Sequence, residues 1–116
     1  MTDQGKDSFV IVISSDEMGQ GSHELGKILM KSFIGALTEH ERRPDYILFV
    51  NAGVRLTTEG SNALEDLLDL ESTGTRLLSC GTCLNYFELG QPLAGEISNM
   101  ASILAVMAGA EKLINI

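Results

Sequence analysis

The sequence predicts an α/β fold in which helices cover both faces of a mostly parallel sheet. Short, continuous apolar runs such as Phe9–Ile13 are typical of strands that are buried on both faces. These runs alternate with longer segments in which apolar residues recur at helical spacing. The resulting order is strand, helix, strand, helix, strand, helix, helix, strand, which requires crossover connections between parallel strands.

A long helix is predicted between the first two strands. Ser22 suits its N-cap position, and the helix should end near residue 41 because Pro44 forbids its continuation. The second strand is predicted over residues 46–50. The inner face of the helix is expected to consist of its regularly spaced apolar residues, which are Leu25, Ile28, Leu29, Phe33 and Leu37.

The second half of the chain is predicted to continue this alternation. A loop over residues 54–60 leads to a helix over residues 61–71, and a third strand follows. A further helix is predicted over residues 97–110, and a last strand over residues 112–116. Three apolar residues of that helix are expected to face the core: Ile103, Leu104 and Met107.

Length and composition indicate one acidic globular domain. The chain has 116 residues, with residues 1–8 expected to be a flexible lead and residues 9–116 the domain. Eight Lys and Arg residues against sixteen Asp and Glu residues give a net charge of −8. Such a surface repels nucleic acids and anionic lipids, so we expect neither a nucleic acid nor a membrane as a partner.

The sequence also indicates a compartment. No apolar run approaches the ~18 residues of a membrane span, and the polar opening residues lack the apolar centre of a signal peptide. The cytoplasm is therefore the expected location, where thiols stay reduced. A Cys-x-x-Cys pair in the cytoplasm is more typical of redox, sulfur or metal chemistry than of a structural disulfide.

Both cysteines of the chain lie in one predicted strand-to-helix turn. Cys80 ends the third strand, Gly81 interrupts it, and Thr82 is predicted to cap a short helix that carries Cys83. Ligands bind at this edge of a parallel sheet, and a helix start favours the thiolate form of cysteine. We predict that Cys80 is a reactive sulfur whose anion is stabilised by the backbone of Gly81, Thr82 and the helix. The alternative is that both thiols are small buried apolar residues.

A zinc site would need further ligands, and histidines are the first candidates. His23 and His40 stand at opposite ends of the first predicted helix, ~25 Å apart at 1.5 Å per residue, which is too far to share one ion. We expect no metal and no other cofactor. A zinc site between subunits, or one completed by a carboxylate, is the alternative that stays open. His23 is either a surface residue or a participant in the Cys80 site, because the preceding loop shares that sheet edge.

Residues 21–27 nearly match a phosphate-binding loop between a strand and a helix. However, Ile28 occupies the position of the magnesium-binding hydroxyl, and Glu24 places a carboxylate where phosphates need positive charge. We therefore assign Lys27 to a solvated helix face rather than to nucleotide binding.

Two asparagines stand beside predicted strand and helix ends. Asn51 ends the second strand and Asn99 opens the last long helix, so both turns are expected near the cysteine turn. Either asparagine can hydrogen-bond a substrate, and helix capping or turn formation explains both equally well.

Six segments between residue 9 and the C-terminus carry a family resemblance. They cover residues 13–21, 24–30, 51–54, 59–61, 80–84 and 95–100, and the specific ones are Cys-Gly-Thr-Cys-Leu and Gly-Glu-Ile-Ser-Asn-Met. Through them the chain resembles the DsrE/DsrF-like sulfur-relay family. Within that family it is most similar to the DsrE-like domain of YedF-type selenium-metabolism proteins.

The resemblance implies a three-layer α/β/α sandwich with a five-stranded, mostly parallel sheet, assembled into homo-trimers or hexamers. It also implies a cysteine that accepts sulfur as a persulfide and relays it; Cys80 matches this position, and Cys83 matches a second cysteine found in some members. YedF-type proteins usually carry an N-terminal TusA-like sulfur-carrier module, which this sequence lacks. The sequence is therefore either an excised domain of such a protein or a stand-alone version of that domain. A TusA-like carrier is an expected partner.

The function predicted from the resemblance is a sulfurtransferase-like carrier that holds sulfur, or selenium, on Cys80. Its partners would be sulfur-donor and sulfur-acceptor proteins. One alternative is a non-catalytic assembly or regulatory module, in which Cys80 would react slowly. The other is a dithiol redox protein, which requires a reversible disulfide between Cys80 and Cys83.

Overall fold

The computed structural model describes residues 8–116 and contains a sheet of five parallel strands. The strands are β1 (Phe9–Ile13), β2 (Tyr46–Phe49), β3 (Arg76–Cys80), β4 (Glu96–Ser98) and β5 (Lys112–Asn115). The helices are α1 (His23–Glu39), α2 (Leu64–Ser72), α3 (Gly81–Tyr86) and α4 (Met100–Ala108), and a 3₁₀ helix covers Asn51–Thr57. The predicted five-stranded α/β fold is confirmed.

The strand order, β4-β3-β2-β1-β5, explains how the layers form. The chain moves stepwise from β1 to β4 and then returns across the sheet to β5. Because parallel crossovers are almost always right-handed, this reversal places α1 and α2 on one face and α4 on the other. α1 and α2 contact each other, and Lys31 Nζ lies 3.4 Å from Asp66 Oδ2 between them.

The core lies along the central strands, as the apolar runs of the sequence predict. Every residue of β1 is buried, because helices cover both faces and β2 and β5 flank its edges. The large side chains that are almost fully buried come from the strands and from the inner helix faces; they include Ile11, Met30, Ile34, Phe49, Leu67 and Ile103.

α1 begins as predicted but is rotated from the predicted orientation. Ser22 is its N-cap, and the Ser22 Oγ accepts the Leu25 N–H at 3.1 Å. The residues that face the sheet are Gly26, Met30, Ile34 and Leu37. The predicted inner face was therefore wrong for Leu25, Ile28 and Leu29, which are exposed. Gly26 permits this close packing, because a Cβ there would lie 2.9 Å from the Glu17 Cβ in the preceding loop.

The region before α4 also differs from the prediction. Residues 96–98 form the edge strand β4 instead of belonging to a helix from residue 97, and α4 begins after Asn99. Leu104, predicted to face inward, is 59% exposed, whereas Ile103 and Val106 are buried. α4 is apolar around most of its circumference, so its sequence alone does not define the buried face.

Smaller differences occur at two other helix starts. α2 begins at Leu64, three residues later than predicted, because residues 61–63 form a turn in which the Ser61 Oγ accepts the Ala63 N–H. α3 begins at Gly81, so the prediction that Thr82 caps it was wrong. Cys80 occupies the N-cap position, and its side chain makes no capping hydrogen bond.

The predicted flexible lead lies outside the described residues, apart from Ser8. Ser8 is buried, and its Oγ donates to the Gly109 carbonyl at 3.2 Å. Within residues 8–116, every helix is too short or too polar to cross a bilayer.

Candidate functional site at the cysteine turn

The strand register brings three strand ends to one level at the carboxyl edge of the sheet. Ser79 of β3 is paired with Phe49, the last residue of β2. The next residue, Cys80, is paired with Ser98, the last residue of β4. Cys80 therefore ends a strand that has a neighbour on each side, and the loops that follow all three strands leave the sheet together.

Three residues in the segments that follow these strand ends were predicted from the sequence as substrate-binding residues. Gly81 follows β3 and opens α3. A Cβ at Gly81 would lie 3.1 Å from the Ile97 Cγ2 and 3.3 Å from the Ser98 carbonyl oxygen, so α3 starts in close contact with β4. Asn51 opens the 3₁₀ helix after β2, and Asn99 precedes α4. The structure thus brings Asn51, Gly81 and Asn99 to the edge where Cys80 lies.

The two cysteines differ in accessibility. Cys80 is 4% exposed and packs in the hydrophobic core, whereas Cys83 is half-buried on the first turn of α3. Both are free thiols. Any molecule that approaches from solvent therefore reaches Cys83 more readily than Cys80.

Cys83 is held by a backbone donor from the neighbouring loop. The Asn51 N–H donates to the Cys83 Sγ at 3.0 Å. Burial raises the pKa of the Cys83 thiol above its ordinary value of 9.0, and the interaction with the Cys80 thiol raises it further, while the Asn51 N–H opposes both. Cys83 is consequently protonated at neutral pH, and its S–H is available as a donor.

The position of that N–H depends on an unusual backbone conformation. Asn51 has φ of +51°, in the left-handed region that asparagine tolerates better than most residues. Two residues later, a Cβ at Gly53 would overlap the Ile13 carbonyl group, so the 3₁₀ helix packs directly on the end of β1. The close contact at Gly53 and the turn at Asn51 together direct the Asn51 N–H towards Cys83.

The other predicted site residues have simpler surroundings. Thr82 is exposed on α3. The Asn99 Oδ1 accepts the Ser102 N–H at 2.9 Å, which makes Asn99 the N-cap of α4. Helix capping, one of the two explanations that the sequence left open for Asn99, is therefore observed.

His23 is placed at the surface and is paired with Glu17. Its side chain is 89% exposed, and the His23 Nδ1 lies 2.7 Å from the Glu17 Oε1. The hydrogen bond to Glu17 raises the pKa of His23 above 6.5. Among the contacts of residues 8–116, none joins His23 to either cysteine. Its predicted role at the site stays a prediction.

The part of the chain that the structure describes contains no group of three or more His, Cys, Asp or Glu side chains arranged to hold a metal ion. The histidine at the other end of α1, His40, is its C-cap residue, and its Nδ1 accepts the Arg42 N–H at 3.1 Å. Within the described residues, the cysteine turn contributes two free thiols.

Sequence reasoning missed an arginine that lies beside the cysteine turn. The Arg55 guanidinium stacks over the Phe87 ring, with 4.5 Å between its central carbon and the ring centroid. Phe87 follows α3, and Arg55 lies on the 3₁₀ helix that begins with Asn51. No local pattern in the sequence indicates this contact, because it joins two segments that follow different strands.

Two solved structures resemble this one over nearly its whole length. They are the crystal structure of the YchN protein from E. coli, with a TM-score of 0.72, and the structure of a protein of unknown function, MTH1491 from Methanobacterium thermoautotrophicum, with a TM-score of 0.69. Each is 19% identical in sequence, and each match covers 96% of this chain and 100% of the other. The chain shares their fold. No protein-family model and no curated protein sequence matches it.

Proposed function

We propose that the protein is a sulfur carrier that holds a persulfide on Cys80 and relays the sulfur to a partner protein. The observation that carries the proposal is the pairing of two free thiols at the carboxyl edge of the sheet, with the Asn51 N–H directed at one of them. The resemblance of the Cys-Gly-Thr-Cys-Leu segment to the DsrE/DsrF-like family supports Cys80 as the sulfur-holding residue.

The transfer is an exchange that needs no external oxidant. The Cys80 thiolate attacks the outer sulfur of a donor persulfide and forms a new S–S bond. The S–S bond of the donor breaks, and its inner sulfur leaves with the electron pair and takes up the proton that Cys80 lost. The donor persulfide and the Cys80 thiol thus become a donor thiol and a Cys80 persulfide.

Cys83 has two roles in this scheme. Because burial keeps Cys83 protonated at neutral pH, its S–H can donate to the sulfur on Cys80. It also offers a route of release when no acceptor is present. Attack by the Cys83 sulfur on the Cys80 Sγ would form a disulfide and expel the outer sulfur as hydrosulfide.

The test is mass spectrometry of the intact protein after incubation with a persulfide donor. Cys83→Ser should gain about 32 Da per sulfur atom, and Cys80→Ser should gain nothing. Wild type should either keep the added mass or, where Cys83 has released the sulfur, lose about 2 Da as the Cys80–Cys83 disulfide. Loading that survives Cys80→Ser but not Cys83→Ser would make Cys83 the carrier and the assignment to Cys80 wrong. Absence of an adduct on correctly folded Cys83→Ser, which cannot release the sulfur by forming a disulfide, would contradict the carrier function.

The burial of Cys80 favours a second candidate, a non-catalytic assembly module. In that case Cys80, which is 4% exposed, serves as a small core residue. This candidate predicts that the rate of alkylation of Cys80 is limited by local or global unfolding, whether or not a persulfide donor is present. A reversible Cys80–Cys83 disulfide with a thioredoxin-like potential would instead indicate a dithiol redox protein.

We also propose that copies of this chain assemble through α4, as the resemblance to trimeric or hexameric proteins suggests. α4 exposes Met100 and Leu104 to solvent, and Ile97 of the adjacent edge strand is 46% exposed. A helix that is apolar on its outer side is usually covered in the functional assembly. Light scattering should report a trimer or hexamer for wild type and smaller species for Leu104→Glu. A monomeric wild type would contradict this assembly.

The donor and acceptor are proposed to be cytoplasmic proteins, with a TusA-like carrier as the first candidate donor. Incubation with purified TusA-like protein that carries a labelled sulfur should transfer the labelled sulfur to Cys80. Loading from selenide-derived donors in the same assay would show whether selenium is a cargo.

A further inference from the structure

A cleft lies beside the cysteine turn, between α1 and the loop that follows the 3₁₀ helix. Its volume is about 340 Å³, which is within the range of pockets that hold small molecules. Its floor is apolar and includes Met30, Leu56 and Leu89, of which the first two are almost fully buried. The cleft therefore combines an apolar base with a polar rim.

The rim carries charges of both signs. Lys27 and Lys31 come from successive turns of α1, and Arg55 comes from the opposite wall. Asp16 and Glu59 lie on the same rim. Within residues 8–116, neither Lys27 nor Arg55 forms an ion pair, whereas Lys31 is paired with Asp66 at 3.4 Å. Three cations and two carboxylates suit a ligand that carries both kinds of charge and is negative overall.

The cleft is close enough to the cysteines for one small molecule to reach both. Asn51 contacts the Cys83 Sγ, and Arg55 lies four residues further along the same 3₁₀ helix, a rise of about 8 Å. Phe87, the ring on which Arg55 stacks, lies about 6 Å beyond Cys83 along α3 at a rise of 1.5 Å per residue. An extended tripeptide spans about 10 Å, so a thiol of that length can have its charged end in the cleft and its sulfur at the cysteine turn.

We infer that the cleft binds a second donor of the sulfur besides a carrier protein, namely a low-molecular-weight peptide persulfide with carboxylate and ammonium groups and a net charge near −1. This inference rests on the proposed carrier function, because it names the class of molecule that supplies the sulfur. Carboxylates of the donor bind Lys27 and Arg55, and its ammonium group faces Asp16 or Glu59. The persulfide end then exchanges its outer sulfur with the Cys80 thiol and leaves as the free peptide thiol.

Binding is tested without any sulfur transfer by titrating reduced glutathione into the wild-type protein and recording amide NMR shifts. The shifts should saturate and concentrate around the cleft. Arg55→Gln and Lys27→Gln should each raise the dissociation constant about five-fold, as expected for an exposed charge contact of about 1 kcal/mol. Arg55→Lys should restore most of the affinity, and Lys112→Gln, on β5 and away from the cleft, should have no effect.

Titration curves that do not saturate, or affinities that Arg55→Gln and Lys27→Gln leave unchanged, would overturn the cleft as a binding site. Glutathione persulfide then separates the two proposals. Saturable binding to Cys83→Ser without a mass adduct on Cys80 contradicts the carrier function and leaves the binding site intact. The carrier is supported and the cleft is contradicted if the rate of adduct formation rises linearly with donor concentration and is the same in Arg55→Gln and Lys27→Gln as in wild type.

Discussion

Two glycines with the same backbone conformation offer a sharp test of how β4 is positioned beside Cys80. Gly95 has φ of +79° and Gly90 has φ of +77°, so alanine is strained at both by about 1–2 kcal/mol. Their surroundings differ. A Cβ at Gly90 meets nothing within 4 Å, whereas a Cβ at Gly95 would overlap the carbonyl group of Leu77 in β3.

The difference between the two alanine variants measures the contact between β4 and β3. Overlap with backbone atoms cannot be relieved by a side-chain rotation, and overpacking of this kind costs typically 1–3 kcal/mol. Gly95→Ala should therefore lower the free energy of unfolding by about 1–3 kcal/mol more than Gly90→Ala does. Because β4 carries Ser98, the partner of Cys80, the same substitution should also displace α3 and alter persulfide loading.

Urea denaturation followed by far-UV circular dichroism gives both free energies, provided that the two variants unfold with the same m-value. Equal destabilisation by Gly95→Ala and Gly90→Ala would refute the reasoning, because it would show that β4 does not pack against Leu77 as closely as described. Greater destabilisation by Gly90→Ala would contradict it more strongly.

Three further outcomes are expected. The rate of alkylation of Cys83 by iodoacetamide should reach half of its maximum at a pH above 9.0, because the pKa of the thiol is raised. The raised pKa stabilises the fold below pH 9.0, and this contribution is lost as the pH rises through the raised value. Asn99→Ala should destabilise the protein by about 1 kcal/mol in urea, and Asn99→Asp, which keeps the capping oxygen, should not. The NMR-titrated pKa of His23 should lie above 6.5 and fall in Glu17→Gln, because the hydrogen bond to the Glu17 carboxylate raises it. The stability that this ion pair contributes is present at low pH and is lost as the pH rises through the raised pKa.

Four of the five strands and the location of the cysteine turn could be predicted because the relevant signals are local. Phe9–Ile13 is a continuous β-branched and aromatic run, and it forms a fully buried strand as predicted. Likewise Gly81 follows an apolar run that ends on Cys80, and the strand ends there. In both cases a few neighbouring residues determine the outcome, and no distant contact is needed to interpret them.

Helix rotation and the edge strand could not be predicted because distant contacts determine them. α1 has apolar residues on more than one side, and the face it buries includes Gly26, which packs closely on the loop at Glu17. Residues 96–98 contain two polar residues among three, and they become a strand only through pairing with β3. Tertiary pairing outweighs the weak local preference in such a short segment.

The candidate site shows the same division. The residue types at the cysteine turn indicated sulfur chemistry, but the donor that contacts Cys83 is a backbone N–H, and its direction depends on the φ of +51° at Asn51. A backbone group is present at every residue, so the sequence cannot distinguish this one. Arg55 was missed for a related reason, because its contact with Phe87 joins two loops that follow different strands.

The charge distribution connects the proposed carrier with the proposed donor site. The protein has a net charge of −8, yet three of its eight basic residues line one cleft. Beyond a Debye length of about 8 Å the net charge is screened at physiological salt, so the donor responds mainly to the charges of the rim. These are the cations Lys27, Lys31 and Arg55 and the carboxylates Asp16 and Glu59. Added salt therefore has opposite effects on the two electrostatic contributions: it weakens the contacts within the cleft and relieves the general repulsion. A donor affinity that falls with added salt would show that the cleft contacts dominate, because general repulsion alone would make the affinity rise.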